Sequence, residues 1–208
     1  METKTTFADR YAQNVCIADV AKKHNIFSIP QRKITWQGAD LQSVKLTLWQ
    51  NICQVVTTLN PSATPQPMAE YAQVADWLFN NEGKGLLLYG NCGRGKTLLA
   101  RYVLPHILMK LYGKICHTLD ASDIDTNLRQ AMEWGIVSVD DIGTEVISQY
   151  KELAFGRLID NAEKKGKIII ATTNLTGDQL RERYGDRIFD RICGNMKRIL
   201  FAGESLRK

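Results

Sequence analysis

The run GNCGRGKT, Gly90 to Thr97, constrains this chain more than any other segment. It fits the pattern G-x-x-x-x-G-K-[ST], and it follows the apolar stretch LLLY and precedes the helix-forming TLLARYVL. A strand, a glycine-rich turn and a helix in that order form a cradle for phosphate. Glycines at positions 90, 93 and 95 let the backbone turn its N–H groups inward, and the positive end of the following helix adds to the anion attraction. The expected nucleotide contacts are therefore Gly90, Asn91, Cys92, Gly93, Arg94, Gly95, Lys96, Thr97 and Leu98. Lys96 would reach the β- and γ-phosphates of a nucleotide, and the Thr97 hydroxyl would take one position on Mg²⁺.

The residues downstream supply an order of motifs that a lone glycine turn lacks. IVSVDDIG sets Asp140 and Asp141 at the end of an apolar strand, where an open parallel sheet forms its ligand crevice. Asp140 would hold the metal, and Asp141 would orient or deprotonate a water attacking the γ-phosphate. KIIIATTN then ends in Asn174, a neutral amide able to contact the γ-phosphate or the attacking water without competing for the metal.

Around these motifs the strands LLLY, KICHT, IVSV, KIIIA and RILF alternate with helical segments, a pattern that predicts an α/β fold of three layers with a five-stranded parallel sheet. Strands this apolar suit a sheet covered on both faces. Pro105 interrupts the helix after the phosphate loop and predicts a kink or an early end. Upstream, residues 9 to 24 and 41 to 59 carry apolar side chains at helical spacing. The prolines at 61, 65 and 67 then block helix and predict an extended linker. The expected organisation is a small helical region over 1–60 that contacts a partner, a linker over 61–67 and an ATPase domain over 68–208.

No segment nears the about 18 consecutive apolar residues of a membrane span, and METKTTFADR lacks a signal-peptide core, so a cytoplasmic protein without membrane contact is expected. The five cysteines are scattered, without zinc or disulfide spacing, and read as reduced thiols. A formal net charge of +5 permits an acidic partner without demanding one.

The series GNCGRGKT, IVSVDDIG, IIIATTN, YGDRIFDRI and ESLRK resembles the AAA+ ATPases, in the branch of DnaC-like helicase loaders and IstB-like transposition helpers, over roughly residues 68 to 208. The resemblance implies an arginine finger at Arg191, with Arg187 as the second candidate, and a sensor 2 arginine at Arg207. It implies a slow ATPase that assembles with ATP into a homo-oligomer and acts on single-stranded DNA and a replicative helicase. The alternative it carries is a helper of a transposase on duplex DNA. Two departures stand out: the segment between LDASD and VSVDD is short, and the chain stops just after Arg207, which leaves DNA contact to the ATPase surface. A small-molecule kinase shares the phosphate loop, but Asp141, Asn174 and the late arginines fit it poorly. A nucleotide-gated binding module without turnover is the third expectation, against which the second acid, Asp141, argues.

Overall fold

The computed structural model describes Ile34 and residues 40–145 and 153–206. The helix expected over 9–24, Cys16 and Arg207 lie outside the described residues. Helix α1 spans Leu41–Leu59, started by the Asp40 carboxylate, which accepts from the Ser43 N–H at 2.7 Å. Its buried residues Val44, Leu48 and Ile52 recur every fourth position and form a single apolar stripe. Helix α2, Glu70–Phe79, buries Val74, Ala75, Trp77 and Leu78.

Five parallel strands follow, interleaved with helices: β1 Gly85–Gly90, β2 Cys116–Asp120, β3 Ile136–Asp140, β4 Ile168–Thr173 and β5 Met196–Phe201. Their order in the sheet is β2-β3-β4-β1-β5, as the apolar runs predicted in number and kind. Side chains alternate across the sheet, so Leu86 and Leu88 face one layer and Leu87 the other. The first layer holds α1, α2 and α4 (Leu104–Tyr112); the second holds α5 (Ile124–Ala131), α6 (Ala154–Lys165) and α7 (Gly177–Asn195). Each fully buried Leu or Ile contributes about 1.5–3 kcal/mol. The stripe of α1 enters the same cluster as α2 and the sheet, and residues 31–208 form one compact unit. The stretch 61–67, read from its prolines as a linker, thus runs between two helices that share a core.

Pro105 neither ends nor breaks its helix. Helix α3 (Lys96–Leu98) passes into a π-helical turn over Leu99–Val103 and continues as α4, with the proline in the first turn. In the wider turn the Leu104 N–H bonds the Leu99 carbonyl, one residue further back than in an α-helix. The Ala100 carbonyl would then need the N–H of residue 105, which proline lacks. The buried Ser138 hydroxyl of β3 fills that vacancy, donating to the Ala100 oxygen at 2.8 Å.

Candidate nucleotide site

The sheet register brings the C-terminal ends of the strands to one edge. Tyr89 lies beside Thr173, Gly90 beside Phe201, and Asp120 beside Asp140. Because β4 sits between β1 and β3, the residue after it, Asn174, falls between the phosphate loop and the acid pair.

The loop from Gly90 to Lys96 turns through left-handed backbone that favours glycine. Gly90 has φ +117°, and a Cβ there would stand 2.5 Å from the Phe201 carbonyl oxygen. Gly93 has φ +73°, and its Cβ would collide with the Ser205 hydroxyl. Lys96 is buried to 6% exposure, and its ammonium donates to the carbonyls of Gly90 at 2.9 Å and Asn91 at 2.7 Å and to Asn174 Oδ1 at 2.9 Å. A cation held by carbonyl and amide oxygens at a helix start is suited to exchanging them for a polyanion.

Asp140 is buried at the end of β3. The Thr172 hydroxyl donates to its Oδ1 at 2.6 Å and accepts from the Asp141 N–H at 2.8 Å, so one β4 side chain fixes both acids. Asp141 takes φ +60°, an uncommon conformation for a residue with a Cβ. Its Oδ1 accepts from Asn174 Nδ2 at 3.0 Å. Burial and the neighbouring Asp140 charge raise the Asp141 carboxyl above its usual range, against an opposing pull from Lys96. The donor set, a hydroxyl at Thr97 and a hard carboxylate at Asp140, fits Mg²⁺, which takes a few protein oxygens and fills its octahedron with phosphate and water.

A cavity of about 520 Å³ opens over this edge. Its walls are the loop residues from Cys92 to Leu98, Asp140, Asp141, Thr172 and Asn174, and, on the far side, Ile52 and Val56 of α1 with Tyr71 of α2. Burial pushes the Tyr71 hydroxyl up to about 12, so it stays a neutral donor. Arg94 anchors the loop laterally. It pairs with the buried Glu70 of α2 at 3.2 Å and reaches the Glu204 carbonyl at 3.3 Å. The Leu206 N–H donates to the Gly93 carbonyl at 2.9 Å, which lays the segment after β5 along the loop.

Gly90 to Leu98, Asp140, Asp141 and Asn174 are therefore gathered at one place, in the relation their motifs implied. Arg187 and Arg191 are elsewhere, on α7, where both pair with Asp160 of α6, and Arg191 also meets Glu163 at 3.0 Å. The sequence had not singled out Thr172, Glu70, Arg101 or the α1 wall. Arg101 pairs with Asp120 and stands 3.9 Å from Asp140. Thr172 was visible as a hydroxyl inside a buried apolar strand, which needs a polar partner; the others become neighbours only through the tertiary fold.

No family model matches the sequence. The replicative helicase loader DnaI of Bacillus subtilis (strain 168) is 22% identical over 164 residues, covering 69% of this chain and 53% of that protein. The chain thus spans about half the length of this curated relative. The crystal structure of the DnaC helicase loader matches with a TM-score of 0.59 and 19% identity, over 74% of this chain and 98% of that one. The crystal structure of DnaI gives 0.52 and 18%, over 67% and 88%. At these identities the shared property is the fold, and the resemblance carried by the motifs holds: this chain is similar to the DnaC-like helicase loaders and has their AAA+ type of P-loop fold, a five-stranded parallel sheet between helical layers.

Proposed function

We propose that this chain binds ATP with Mg²⁺, hydrolyses it to ADP and phosphate, and acts in DNA replication as a helicase loader of the DnaC-like kind. The observation that carries this is the Asn174 bridge, an amide that accepts from the phosphate-loop lysine and donates to Asp141. A binding cradle alone would not need an acid linked to it through a neutral amide.

In this mechanism Lys96 exchanges the Gly90, Asn91 and Asn174 oxygens for β- and γ-phosphate oxygens. Thr97 and Asp140 would hold Mg²⁺, whose charge offsets that of the phosphates. Released from Lys96, Asn174 turns its amide to the γ-phosphate or the attacking water. Asp141 orients that water and takes its proton as oxygen bonds to the γ-phosphorus and the bond to ADP breaks. Its raised carboxyl range suits it to receiving a proton. Arg191, or else Arg187, would arrive from a neighbouring copy against the γ-phosphate, and Arg207 would serve as sensor 2 within the chain. Turnover then depends on assembly.

The partners in this reading are single-stranded DNA and a replicative helicase, with residues 1–60 as the helicase contact and the cytoplasm as the location. Among the described residues no helix is long and apolar enough to cross a membrane. Phosphate release with and without single-stranded DNA, followed by capture with a replicative helicase or with a transposase on duplex DNA, tests it. Stimulation by single-stranded DNA and helicase capture support loading, and transposase capture moves the chain to the IstB-like role. Turnover only with a small-molecule acceptor would make it a kinase, and binding without any turnover would leave a nucleotide-gated module.

A further inference from the structure

Glu145 is a buried carboxylate that belongs to none of the motifs. It is 4% exposed, and a buried charge without partners would be strongly destabilising. Its oxygens are instead fully engaged. Oε2 accepts from the Gly143 N–H at 2.7 Å and lies 3.5 Å from the Arg183 guanidinium, and Oε1 accepts from the Tyr184 hydroxyl. Arg183 also donates to the Glu145 carbonyl. One side chain thus ties the turn after β3 to the first half of α7.

That turn carries Asp141. From Asp141 (φ +60°) to Gly143 (φ +102°) the backbone is left-handed at both ends, and a Cβ at Gly143 would strike the Leu175 side chain at 2.4 Å. A left-handed residue with a Cβ is strained and persists only where its surroundings dictate it. On one side β4 does so: the Ile142 N–H bonds the Thr172 carbonyl at 2.8 Å, and the Thr173 hydroxyl bonds the Ile142 carbonyl at 2.7 Å. On the other side the holding group is Glu145. Tyr184, its donor, packs against Phe155 of α6 with ring centres 5.6 Å apart. The next residue, Gly185 (φ +78°, ψ +162°), breaks α7, and Arg187 and Arg191 lie beyond it.

We propose that Glu145 is a positioning residue for the Asp141 carboxylate, bracing the turn that carries it against Arg183 and Tyr184 of α7. This rests on the proposed hydrolysis. An apolar side chain could fill the same volume, but it could not hold an N–H, a guanidinium and a phenol from two elements at once. The hydrogen bonds and the ion pair of Glu145 go to Gly143, Arg183 and Tyr184 and not to the phosphate loop, so its effect falls on the reaction and not on nucleotide affinity.

The test measures kcat, the affinity for a non-hydrolysable ATP analogue and thermal melting on the full chain, for Glu145→Ala, Glu145→Gln, Tyr184→Phe and Glu145→Ala combined with Asp141→Asn. Misplacing a reacting group by about 1 Å costs up to about 100-fold, so Glu145→Ala should lower kcat by about 10- to 100-fold and leave analogue affinity within about twofold. Glu145→Gln, whose single amide oxygen keeps an acceptor for either the Gly143 N–H or the Tyr184 hydroxyl but not for both, should recover part of the rate. The double variant should be no slower than Asp141→Asn alone, because Glu145 acts through Asp141. An unchanged kcat, a parallel loss of affinity, or additive losses in the double variant would overturn the proposal. Should Glu145→Ala fail to fold, Tyr184→Phe carries the test, and an unchanged kcat there overturns it. A wild type that binds the analogue yet never releases phosphate would instead sink the hydrolysis reading itself.

Discussion

The Lys96 ammonium and Asn174 Oδ1 meet at 2.9 Å across 78 residues of chain. The contact uses the one oxygen of an amide whose nitrogen already points at Asp141, so moving Lys96 onto phosphate changes what Asn174 can do. Asn174→Ala should therefore slow hydrolysis by about 100- to 1,000-fold, the usual loss for a single donor aimed at developing charge. Analogue affinity should change little. Lys96→Ala should do the reverse first, weakening affinity by about 10- to 100-fold through loss of charge-assisted bonds worth about 1.5–3 kcal/mol. Isothermal titration paired with single-turnover rates separates the two. Equal effects on affinity from both variants would dissolve the division of labour.

Asp141 gives a pH dependence with a definite sign. Burial and the Asp140 charge raise its carboxyl above the ordinary 3.8, so in the proposed role as base it would be lost to protonation at a higher pH than an exposed aspartate. The acid limb of kcat should lie above that value, and the residual turnover of Asp141→Asn should lack the limb. The same shift bears on stability. A carboxyl with a raised folded pKa destabilises the native state once pH climbs past it, and the neutral amide carries no such burden. Asp141→Asn should then melt no lower than wild type at neutral pH. A clearly lower melting temperature would show that the charged form is being stabilised, the opposite of what its surroundings imply.

Much of this site was legible because its chemistry is local. The phosphate loop needs glycine at set positions over eight residues, and a buried strand that ends in polar side chains announces an edge where ligands bind. The apolar runs gave the strands, and four-residue spacing gave α1 to its observed ends. What stayed hidden depends on distant partners. Nothing in QLRERYGD marks Arg183 and Tyr184 as donors to Glu145, and nothing in LARYVLP marks Ser138 as the group that replaces a missing N–H. The prolines at 61, 65 and 67 correctly excluded helix, but chain stiffness says nothing about whether the helices on either side share a core. That depends on where the stripe of α1 lands.

That stripe yields its own prediction. Ile52 is 1% exposed, and it both fills the cluster under β1 and lines the cavity over the phosphate loop. Ile52→Ala should cost about 2–5 kcal/mol, the range for a large aliphatic truncated in a packed core. Denaturant unfolding should remain a single transition with an earlier midpoint. Two separated transitions would instead make α1 an independent unit.

Ser138 and Pro105 form a pair testable without any ligand. Removing the hydroxyl leaves the Ala100 carbonyl buried with no donor, since residue 105 has no N–H to give. Ser138→Ala should cost about 1–3 kcal/mol, the penalty for a stranded buried acceptor. Pro105→Ala restores an N–H one turn along the helix, so the serine substitution should cost less in that background. A double-mutant cycle by chemical denaturation reads the coupling, and two independent losses would separate the π-helical turn from the proline.

Arg191 is held in its own chain by Asp160 and Glu163, so any role against a neighbour's γ-phosphate must break those pairs. Asp160 is the shared acceptor of Arg187 and Arg191, which makes it the residue that sets how readily either arginine leaves. A finger is worth about 1,000-fold or more in turnover, so Arg191→Ala should remove nearly all hydrolysis while preserving nucleotide affinity. Because a finger would act across an interface, mixing Arg191→Ala with Lys96→Ala should then restore some turnover: one partner keeps a working nucleotide site and the other supplies the arginine. Asp160→Asn, which loosens both arginines without removing either, should raise assembly-dependent turnover or leave it unchanged. If mixing restores nothing while Arg187→Ala mixed with Lys96→Ala does, the finger is Arg187, and the Arg191 pairs with Asp160 and Glu163 serve only to hold α7 against α6.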